Sequence, residues 1–358
     1  MKKDRFNLLL TVLLAFCCAA FFEGILTSEA QARLRNQQLE AEMTDDEEQD
    51  VEEAPRARRP APIPAREAAL DDEGTEEDEE TFDPDAPIPE PEKVFGARLE
   101  CKDGVQLSAT YYPGNRGKKN VPVIILHDWG GKRSDVAVLA EELQANGCSV
   151  ITPDLRGHGK SIYKRIGPED KETFSAKDRI NAADLQEIVM QDLPCIKKFL
   201  LQKNNEGELN IDKLIVGGVG YGGLAAAFFA NNDWNPNIKR RKEMARMGDV
   251  KGFFMVAPPK ALKGVNIKET ITFPTWANNI SCILLTQGAK GKTAGKIYET
   301  FLRKTCGKDA MERCWFKNYD GKGEGADVLK DPDSDFVLDI LAFVDKRAAK
   351  RDLLWRMR

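Results

Sequence analysis

Histidine is scarce in this chain, whose 358 residues include only His127 and His158. Residues 159–358 therefore contain no imidazole, the side chain that most often serves as general base in acyl transfer. The two histidines also lack HxH or HxxxH spacing, and no Cys/His pattern accompanies them, so the ligand set of a zinc site is missing. The sequence argues against histidine-dependent hydrolysis, and we expect no metal site and no cofactor.

The N-terminal region carries an apolar run that is short for a membrane span. Three of the first five residues are basic, the run extends from Leu8 to Phe22, and a small-x-small pattern occupies positions 30–32. A span needs roughly 20 apolar residues, whereas this layout is typical of a signal peptide. We predict that residues 1–32 are a cleaved signal peptide, with an uncleaved N-terminal anchor as the alternative. The protein is then exported, as a periplasmic, secreted or membrane-anchored component of the cell envelope.

Basic residues are nearly absent from the segment that follows. Positions 40–92 hold 22 acidic and 4 basic residues together with 8 prolines. Such a composition buries too little apolar surface to offset the entropy lost on ordering, and its like charges keep it extended. We predict that residues 33–92 are a disordered, acidic, proline-rich linker. A solvated tether is the favoured role and a partner-binding arm the alternative; no calcium-loop motif supports specific calcium binding.

The remaining residues, 93–358, have the usual size of a single α/β domain and carry 44 basic against 33 acidic side chains. Part of this charge lies in the tail from Lys346 to Arg358, next to Leu354 and Trp355. We predict that the tail is the end of a surface helix; the alternative is a helix lying on a membrane surface. Membrane or cell-envelope association through the tail or the N-terminal segment stays open, and we expect no nucleic-acid partner.

Strands and helices alternate along residues 93–358, which is typical of a mostly parallel sheet. Short apolar or β-branched runs predict strands at 97–100, 105–112, 121–126, 148–152, 214–219, 250–256, 282–286 and 314–319. Helical spacing of apolar residues predicts helices at 135–146, 178–203 and 224–230, with a bend in the second one at Pro194.

Three stretches each contain the end of a predicted strand and the glycine-rich turn that follows it: VPVIILHDWGG, SVITPDLRGHGKS and LIVGGVGYGG. In this order and spacing they resemble the α/β-hydrolase superfamily, nearest to its dienelactone hydrolase, serine aminopeptidase and monoglyceride lipase-like members. The resemblance covers nearly all of residues 93–358. It implies an α/β-hydrolase fold, with helices on both faces of a mostly parallel central sheet. Residues 257–280 are too few for a helical cap, so we expect no substantial cap domain.

The third stretch resembles the nucleophile elbow of that superfamily. Gly218, Gly222 and Gly223 match the small residues that flank the nucleophile in a strained strand-to-helix turn. The central position that they define is Gly220, which has no side chain with which to attack a carbonyl. By the same resemblance, the catalytic acid position falls on Gly291 and the histidine position on Glu324. The chain thus matches the elbow and lacks all three catalytic side chains.

The first stretch resembles the strand and oxyanion loop of the superfamily, here formed by His127, Asp128, Trp129 and Gly130. The resemblance implies that His127 supports the loop through hydrogen bonds, and that Tyr221 contributes its backbone N–H to the oxyanion hole. Asp128 replaces the usual glycine, and its carboxylate would repel a developing oxyanion. His158, in the second stretch, is expected to pack beside the site.

These features predict an exported α/β-hydrolase-like protein that lacks a nucleophile and a catalytic histidine. We expect a non-catalytic pseudohydrolase with a binding or scaffolding role, whose partner is an unidentified protein or small-molecule ligand. One alternative is an active hydrolase of the esterase, lipase or peptidase type with a non-standard active site. Another is a tethered structural protein of the cell envelope whose acidic arm is the functional part.

Six cysteines lie beyond residue 32. In an exported protein an even number permits disulfides, and six cysteines allow 15 complete pairings. Cys306 and Cys314 bracket a short connection into the last predicted strand, so we expect them to pair first. Cys148 and Cys282 lie on predicted strands, and the alternative for them is that they remain buried thiols, which pack as small apolar residues.

Overall fold

The computed structural model describes residues 87–235, 248–268, 280–306, 310–322, 325–331 and 335–358. The described part contains a ten-stranded sheet. Its strands are β1 (Glu92–Glu100), β2 (Val105–Tyr112), β3 (Val121–Leu126), β4 (Cys148–Pro153), β5 (Tyr163–Arg165), β6 (Lys171–Thr173), β7 (Ile215–Val219), β8 (Gly252–Val256), β9 (Ser281–Gln287) and β10 (Cys314–Tyr319). Its helices are α1 (Ala137–Ala145), α2 (Ala182–Glu187), α3 (Leu193–Asn205), α4 (Gly220–Trp234), α5 (Gly288–Cys306), α6 (Ala310–Arg313) and α7 (Phe336–Val344).

The sheet is parallel over six of its strands, in the order β4-β3-β7-β8-β9-β10. β2 joins β4 in the antiparallel direction, and it pairs in turn with β1 and with the β5–β6 hairpin. Every residue of β3, β4, β7, β8 and β9 is buried, as expected for parallel strands covered on both faces. The expectation of a mostly parallel central sheet is confirmed.

The side chains of successive residues in the central strands belong alternately to two separate hydrophobic clusters, one on each face of the sheet. On β3, Val123 and Ile125 point to the face covered by α1 and α7, whereas Ile124 and Leu126 point to the other. That second face is covered by α2, α3, α4 and α5. Helices on both faces are therefore also confirmed.

Most predicted strand positions are correct, but some helix bounds are not. The helix predicted at 178–203 begins only at Ala182, after the cap residue Asn181, whose side chain accepts hydrogen bonds from two backbone N–H groups. A π-helical segment at Ile188–Asp192 interrupts the helix and leads into α3, whose second residue is Pro194, so the regular α-helix is broken next to the position of the predicted bend. Helix α4 starts four residues earlier than predicted, at Gly220 itself.

Only the first residues of the C-terminal tail, Lys346 to Ala349, form the end of a helix as predicted; residues 350–358 do not, which corrects the prediction for that part. After α7 and a π turn at Asp345–Ala349 the chain has no helical structure, and it packs on the connection before β7. The Trp355 indole N–H donates to the Leu209 carbonyl at 3.1 Å, and the Arg356 guanidinium pairs with Asp212 at 3.0 Å. Acidic partners on the domain itself thus take up part of the basic charge of the tail.

The predicted signal peptide or anchor, and residues 33–86 of the predicted linker, lie outside the described residues, as does Glu324. Glu92, the last residue of the predicted linker, is instead the first residue of β1. Within the part of the chain that the structure describes, none of the helices combines the length and apolar character needed to cross a bilayer.

Candidate functional site

The elbow is built where β7 runs directly into α4. Val219 has extended backbone, and Gly220, the first helical residue, has a φ of +54°, a conformation that favours glycine. The flanking glycines are required by close packing. A Cβ at Gly218 would lie 2.5 Å from the carbonyl oxygen of Leu126, and one at Gly222 would lie 2.7 Å from the same oxygen. The strand-to-helix turn therefore has the tight geometry that the motif predicts.

The carboxyl group of Asp128 fills the space in front of Gly220. A Cβ at Gly220 would overlap the carboxyl carbon and both oxygens of Asp128. Oδ1 of Asp128 accepts hydrogen bonds from the backbone N–H groups of Trp129 and Tyr221, each at 2.8 Å. These two donors come from the loop after β3 and from the residue after Gly220, which is how an oxyanion hole is assembled. A side chain of the protein itself therefore occupies this anion site.

Two opposing effects act on the charge of Asp128. Burial raises the pKa of its carboxyl group above the ordinary value, because the charged form loses hydration. The N–H groups of Tyr221 and Trp129 act in the opposite direction, since they stabilise the charged form. Partial burial is the larger of the two effects, so the carboxylate is held at a net electrostatic cost.

His127, at the end of β3, is fully buried and uses both ring nitrogens on backbone atoms. Its Nε2 accepts from the Leu155 N–H at 2.9 Å, so Nδ1 carries the proton and donates to the Asp128 carbonyl at 2.7 Å. Burial lowers the pKa of His127 to about 4, which keeps the ring neutral. Neither nitrogen is left to take a proton from a group in front of Gly220.

His158 also uses both ring nitrogens to bond backbone atoms. Its Nε2 accepts from the Gly130 N–H at 3.0 Å, and Nδ1 donates to the Arg156 carbonyl at 3.0 Å. The Trp129 ring packs edge-on against His158 with centroids 4.5 Å apart, and its indole N–H donates to the Lys177 carbonyl at 2.9 Å. Both histidines thus fix the loop that presents Asp128.

A cleft of about 860 Å³ opens beside this arrangement. It is bounded by the ends of β8 and β9, by the first turns of α4 and α5, and by the segment after β10. Of the positions predicted from the sequence, four line it: Asp128, Gly220, Tyr221 and Gly291. The structure thus brings these four together, whereas His127 lies behind them in the core.

The position matched to the catalytic acid falls in a helix. α5 begins at Gly288, directly after β9, so Gly291 belongs to its first turn, where a Cβ would lie 3.3 Å from the Thr286 side chain. The position matched to the catalytic histidine, Glu324, lies outside the described residues, but the adjacent Gly325 lines the cleft.

Several residues that line the cleft were missed by sequence reasoning. Exposed Lys260, Lys290 and Lys322 surround it, and Asp128 is the only acidic residue among its described lining. Ala257, just after β8, is the only non-glycine residue with a positive φ, +47°, in the described segments. Backbone strain of this kind costs about 1–3 kcal/mol and often accompanies binding sites. Nothing in the local sequence indicates it.

Gln287 is a further cleft residue without a sequence signal. Its side-chain amide donates to the Asp320 carbonyl at 3.0 Å and to Asp331 at 2.5 Å, which fixes the orientation of the amide. The remaining oxygen, Oε1, is buried and accepts no hydrogen bond within the described structure. As for metals, no group of three or more His, Cys, Asp or Glu side chains in the described segments is arranged to hold an ion.

A scan against protein-family profiles and a search of curated protein sequences each found no match. Solved structures, in contrast, match over most of the chain. An esterase from Pyrobaculum calidifontis, in a monoclinic form, superposes with a TM-score of 0.50 at 16% identity, covering 74% of this chain and 87% of the esterase. EstE1, a thermophilic carboxylesterase cloned from a metagenomic library, gives 0.48 at 16% identity, covering 73% and 88%. Esterase 2 of Thermogutta terrifontis, phosphorylated by paraoxon, gives 0.46 at 14% identity, covering 73% and 94%.

Identities this low bear on the fold alone. The described chain has a mostly parallel central sheet covered by helices on both faces, and the first of these superpositions covers 74% of the whole chain at a TM-score of 0.50. The chain has the α/β-hydrolase fold.

Proposed function

We propose that this protein is a non-catalytic pseudohydrolase that binds a small molecule in the cleft beside Asp128. The observation that carries the proposal is the position of the Asp128 carboxyl group. It fills the space in which a side chain at Gly220 would lie, and it accepts the N–H groups of Trp129 and Tyr221. In a hydrolase these donors must be open to the oxygen on which charge develops in the transition state.

A resident carboxylate opposes acyl transfer in two ways. It withholds both donors from a substrate oxygen, and its own negative charge repels a second anion in the same site. The hydrogen bonds of His127 and His158 support the same conclusion, because each ring holds two backbone groups and has no nitrogen available as a base.

The charge around the cleft favours an anionic ligand. Lys260, Lys290 and Lys322 are exposed around it, whereas Asp128 is partly buried at one end and bonded to backbone N–H groups. A volume of about 860 Å³ lies within the range of small-molecule sites. We propose an organic carboxylate or phosphate of modest size as the ligand.

Activity assays test the absence of catalysis. The full-length protein should show no labelling by fluorophosphonate probes and no hydrolysis of short-chain acyl esters above a heat-inactivated control. Turnover that is abolished by a single substitution in the cleft would refute the pseudohydrolase proposal and establish the alternative, a hydrolase with a non-standard site.

Thermal shift with a panel of small carboxylates and phosphates tests binding. A ligand present at 100 times its Kd stabilises by about 2.7 kcal/mol, which raises Tm by roughly 5 °C in a domain of this size. The double variant Lys260→Glu/Lys322→Glu should lose that rise. The matched control is Lys171→Glu. Lys171 lies on β6, at the opposite edge of the sheet from β10, and this variant should keep the rise in Tm. Retention of the shift by the double variant would place the ligand elsewhere.

We propose in addition that the protein is exported and held in the cell envelope by its N-terminal part. The apolar run Leu8 to Phe22 and the small-x-small pattern at 30–32 support this proposal. Mass spectrometry of the protein isolated from its native host should find a mature N-terminus at residue 33, or an intact N-terminus in the membrane fraction. An intact chain in the cytosolic fraction would contradict export.

A further inference from the structure

Three thiols meet where α5, β9 and β10 come together, at the opposite end of these strands from the cleft. Cys306 is the last residue of α5, and Cys314 is the first residue of β10. Cys282, near the start of β9, is the parallel-register neighbour of Cys314. All three side chains are buried. None of them takes part in the site around Gly220.

The Sγ atoms of Cys306 and Cys314 lie 2.9 Å apart. This contact exceeds the bond of about 2.05 Å in a disulfide by less than 1 Å, so a small shift brings the two sulfurs together. The geometry points to Cys306–Cys314 as a disulfide site in this protein. The covalent step is an exchange with a low-molecular-weight disulfide such as oxidised glutathione. The two cysteine thiols lose two protons and two electrons as the S–S bond forms, and the glutathione disulfide is reduced to two thiols.

Cys314 has a second neighbour in Cys282, and the fold distinguishes between the two. Cys282 and Cys314 are each fixed by β-sheet pairing, with parallel side chains that project from adjacent strands in the same direction. Cys306 instead approaches Cys314 from the end of a helix on one face of the sheet. Bridging needs Cβ atoms that point toward each other, which favours the helix-to-strand pair over the strand-to-strand pair.

The surroundings also indicate when the bond forms. Hydrogen bonding to Cys282 and burial raise the pKa of Cys314 and together outweigh the hydrogen bond to Cys306, which lowers it, so little reactive thiolate exists in the folded protein. Exchange with a dissolved disulfide should therefore be slow after folding and fast during oxidative folding, before the strands pack. The bond closes a short loop and ties the C-terminal end of α5 to β10. This inference is independent of the proposed binding function.

Peptide mapping tests the pairing, because trypsin separates the three thiols into distinct fragments. Cys306 lies in TCGK, Cys314 in CWFK, and Cys282 in the fragment of residues 269–290. The full-length protein is refolded in a glutathione redox buffer, alkylated under denaturing conditions and digested without reductant. We expect TCGK linked to CWFK, lost on prior reduction. Alkylated TCGK and CWFK without a link, or CWFK linked to the fragment of Cys282, would overturn the proposal.

A second measurement does not depend on mapping. Closing a loop of this length should raise Tm by roughly 5 °C relative to the reduced protein. Cys306→Ala and Cys314→Ala should each abolish the difference between oxidised and reduced protein. Cys148→Ala removes a buried thiol from the core on the other face of the sheet and should retain it. If the Tm difference between oxidised and reduced protein persists in Cys314→Ala, other thiols cause that difference and the proposal is wrong.

Discussion

The carboxyl group of Asp128 and the missing side chain of Gly220 occupy the same space. A Cβ at Gly220 would overlap the carboxyl carbon of Asp128, while Oδ1 accepts the N–H of Tyr221 at 2.8 Å. The position of the Asp128 carboxyl group is therefore compatible only with a glycine at position 220. An aspartate in this rotamer needs glycine opposite it, and the glycine removes the side chain on which elbow chemistry depends.

Restoring a serine at the elbow should damage the fold without creating an enzyme. Gly220→Ser places a side chain at φ +54° and against the Asp128 carboxyl group, so we expect destabilisation of about 3 kcal/mol from strain and overpacking. Urea unfolding measures the loss. Ester hydrolysis should stay at background, because no imidazole is available to activate the serine.

The double variant Gly220→Ser/Asp128→Gly provides the control for that experiment. Removal of the carboxyl group abolishes the overlap, so the two substitutions should couple by about 1–2 kcal/mol in a double-mutant cycle. Additive effects would show that the carboxyl group does not occupy the space in front of residue 220. Strong esterase turnover in either variant would reveal a base that the described contacts do not include.

Asp128→Asn should change the pH dependence of stability. Burial raises the folded-state pKa of Asp128 above its unfolded value, so the folded protein binds more protons than the unfolded chain between those two values. The contribution of this group to stability therefore falls as pH rises through that window. Asn keeps an acceptor oxygen for Trp129 and Tyr221 but carries no charge. Relative to the wild type, the variant should gain stability as pH rises from acid toward neutrality, measured by unfolding at a series of pH values. A difference that is flat with pH would contradict the shift.

The central strands could be predicted from the sequence because burial on both faces leaves an uninterrupted apolar run. β3 has the predicted bounds, and the predicted bounds of β4, β7 and β9 are within one residue of the observed ones. The β5–β6 hairpin was not predicted, because strands of three residues are too short to show a period. The basic and apolar residues of the tail suit a helix, and the chain is helical up to Ala349; the contact of Arg356 with Asp212 could not be predicted, because Asp212 lies far away in the chain.

In the candidate site, the sequence motifs predicted the position of the strand-to-helix turn but not the side-chain contacts around it. Gly220 and its flanking glycines were identified because close backbone packing leaves a sequence pattern. The contact between Asp128 and Tyr221 joins residues 93 positions apart, and no pattern records which way a loop carboxylate turns. The same limit applies to Gln287 and to the lysines around the cleft, because the strand ends bring together residues from separate loops.

His127 should make the protein sensitive to acid. Its pKa is lowered to about 4 by burial, below the ordinary 6.5, so the unfolded chain binds more protons between these two values. Stability should therefore fall by roughly 3 kcal/mol as pH drops from above 6.5 to about 4. The variant His127→Asn does not titrate and should lose this part of the slope, although it is less stable at neutral pH. Equal slopes in the two proteins would show that His127 is accessible to protons in the folded state.

Arg156 should be the most costly basic side chain to remove from the described network of buried ions. Its guanidinium pairs with Asp192 at 2.5 Å and with Asp103 and Glu187 at 3.0 and 2.8 Å, and Asp192 is 1% exposed. Arg156→Met leaves the Asp192 carboxylate buried without its cation, which costs about 3–5 kcal/mol. The matched control is Arg98→Met, which breaks the exposed pair with Glu92 and should cost less than about 1 kcal/mol.

The cost of Arg156→Met should itself depend on pH. Burial raises the pKa of Asp192 to about 6 even with the guanidinium present, and loss of the cation raises it further. The folded variant therefore holds a proton on Asp192 that the unfolded chain releases at lower pH. The wild-type protein binds the same proton with a pKa of about 6, so the deficit of the variant should be largest well above pH 6, shrink as pH falls toward about 6, and stay constant below it. Adding Asp192→Asn should remove most of the deficit at neutral pH. If the double variant is no more stable than Arg156→Met alone, the penalty comes from lost packing around the arginine and not from the unpaired carboxylate.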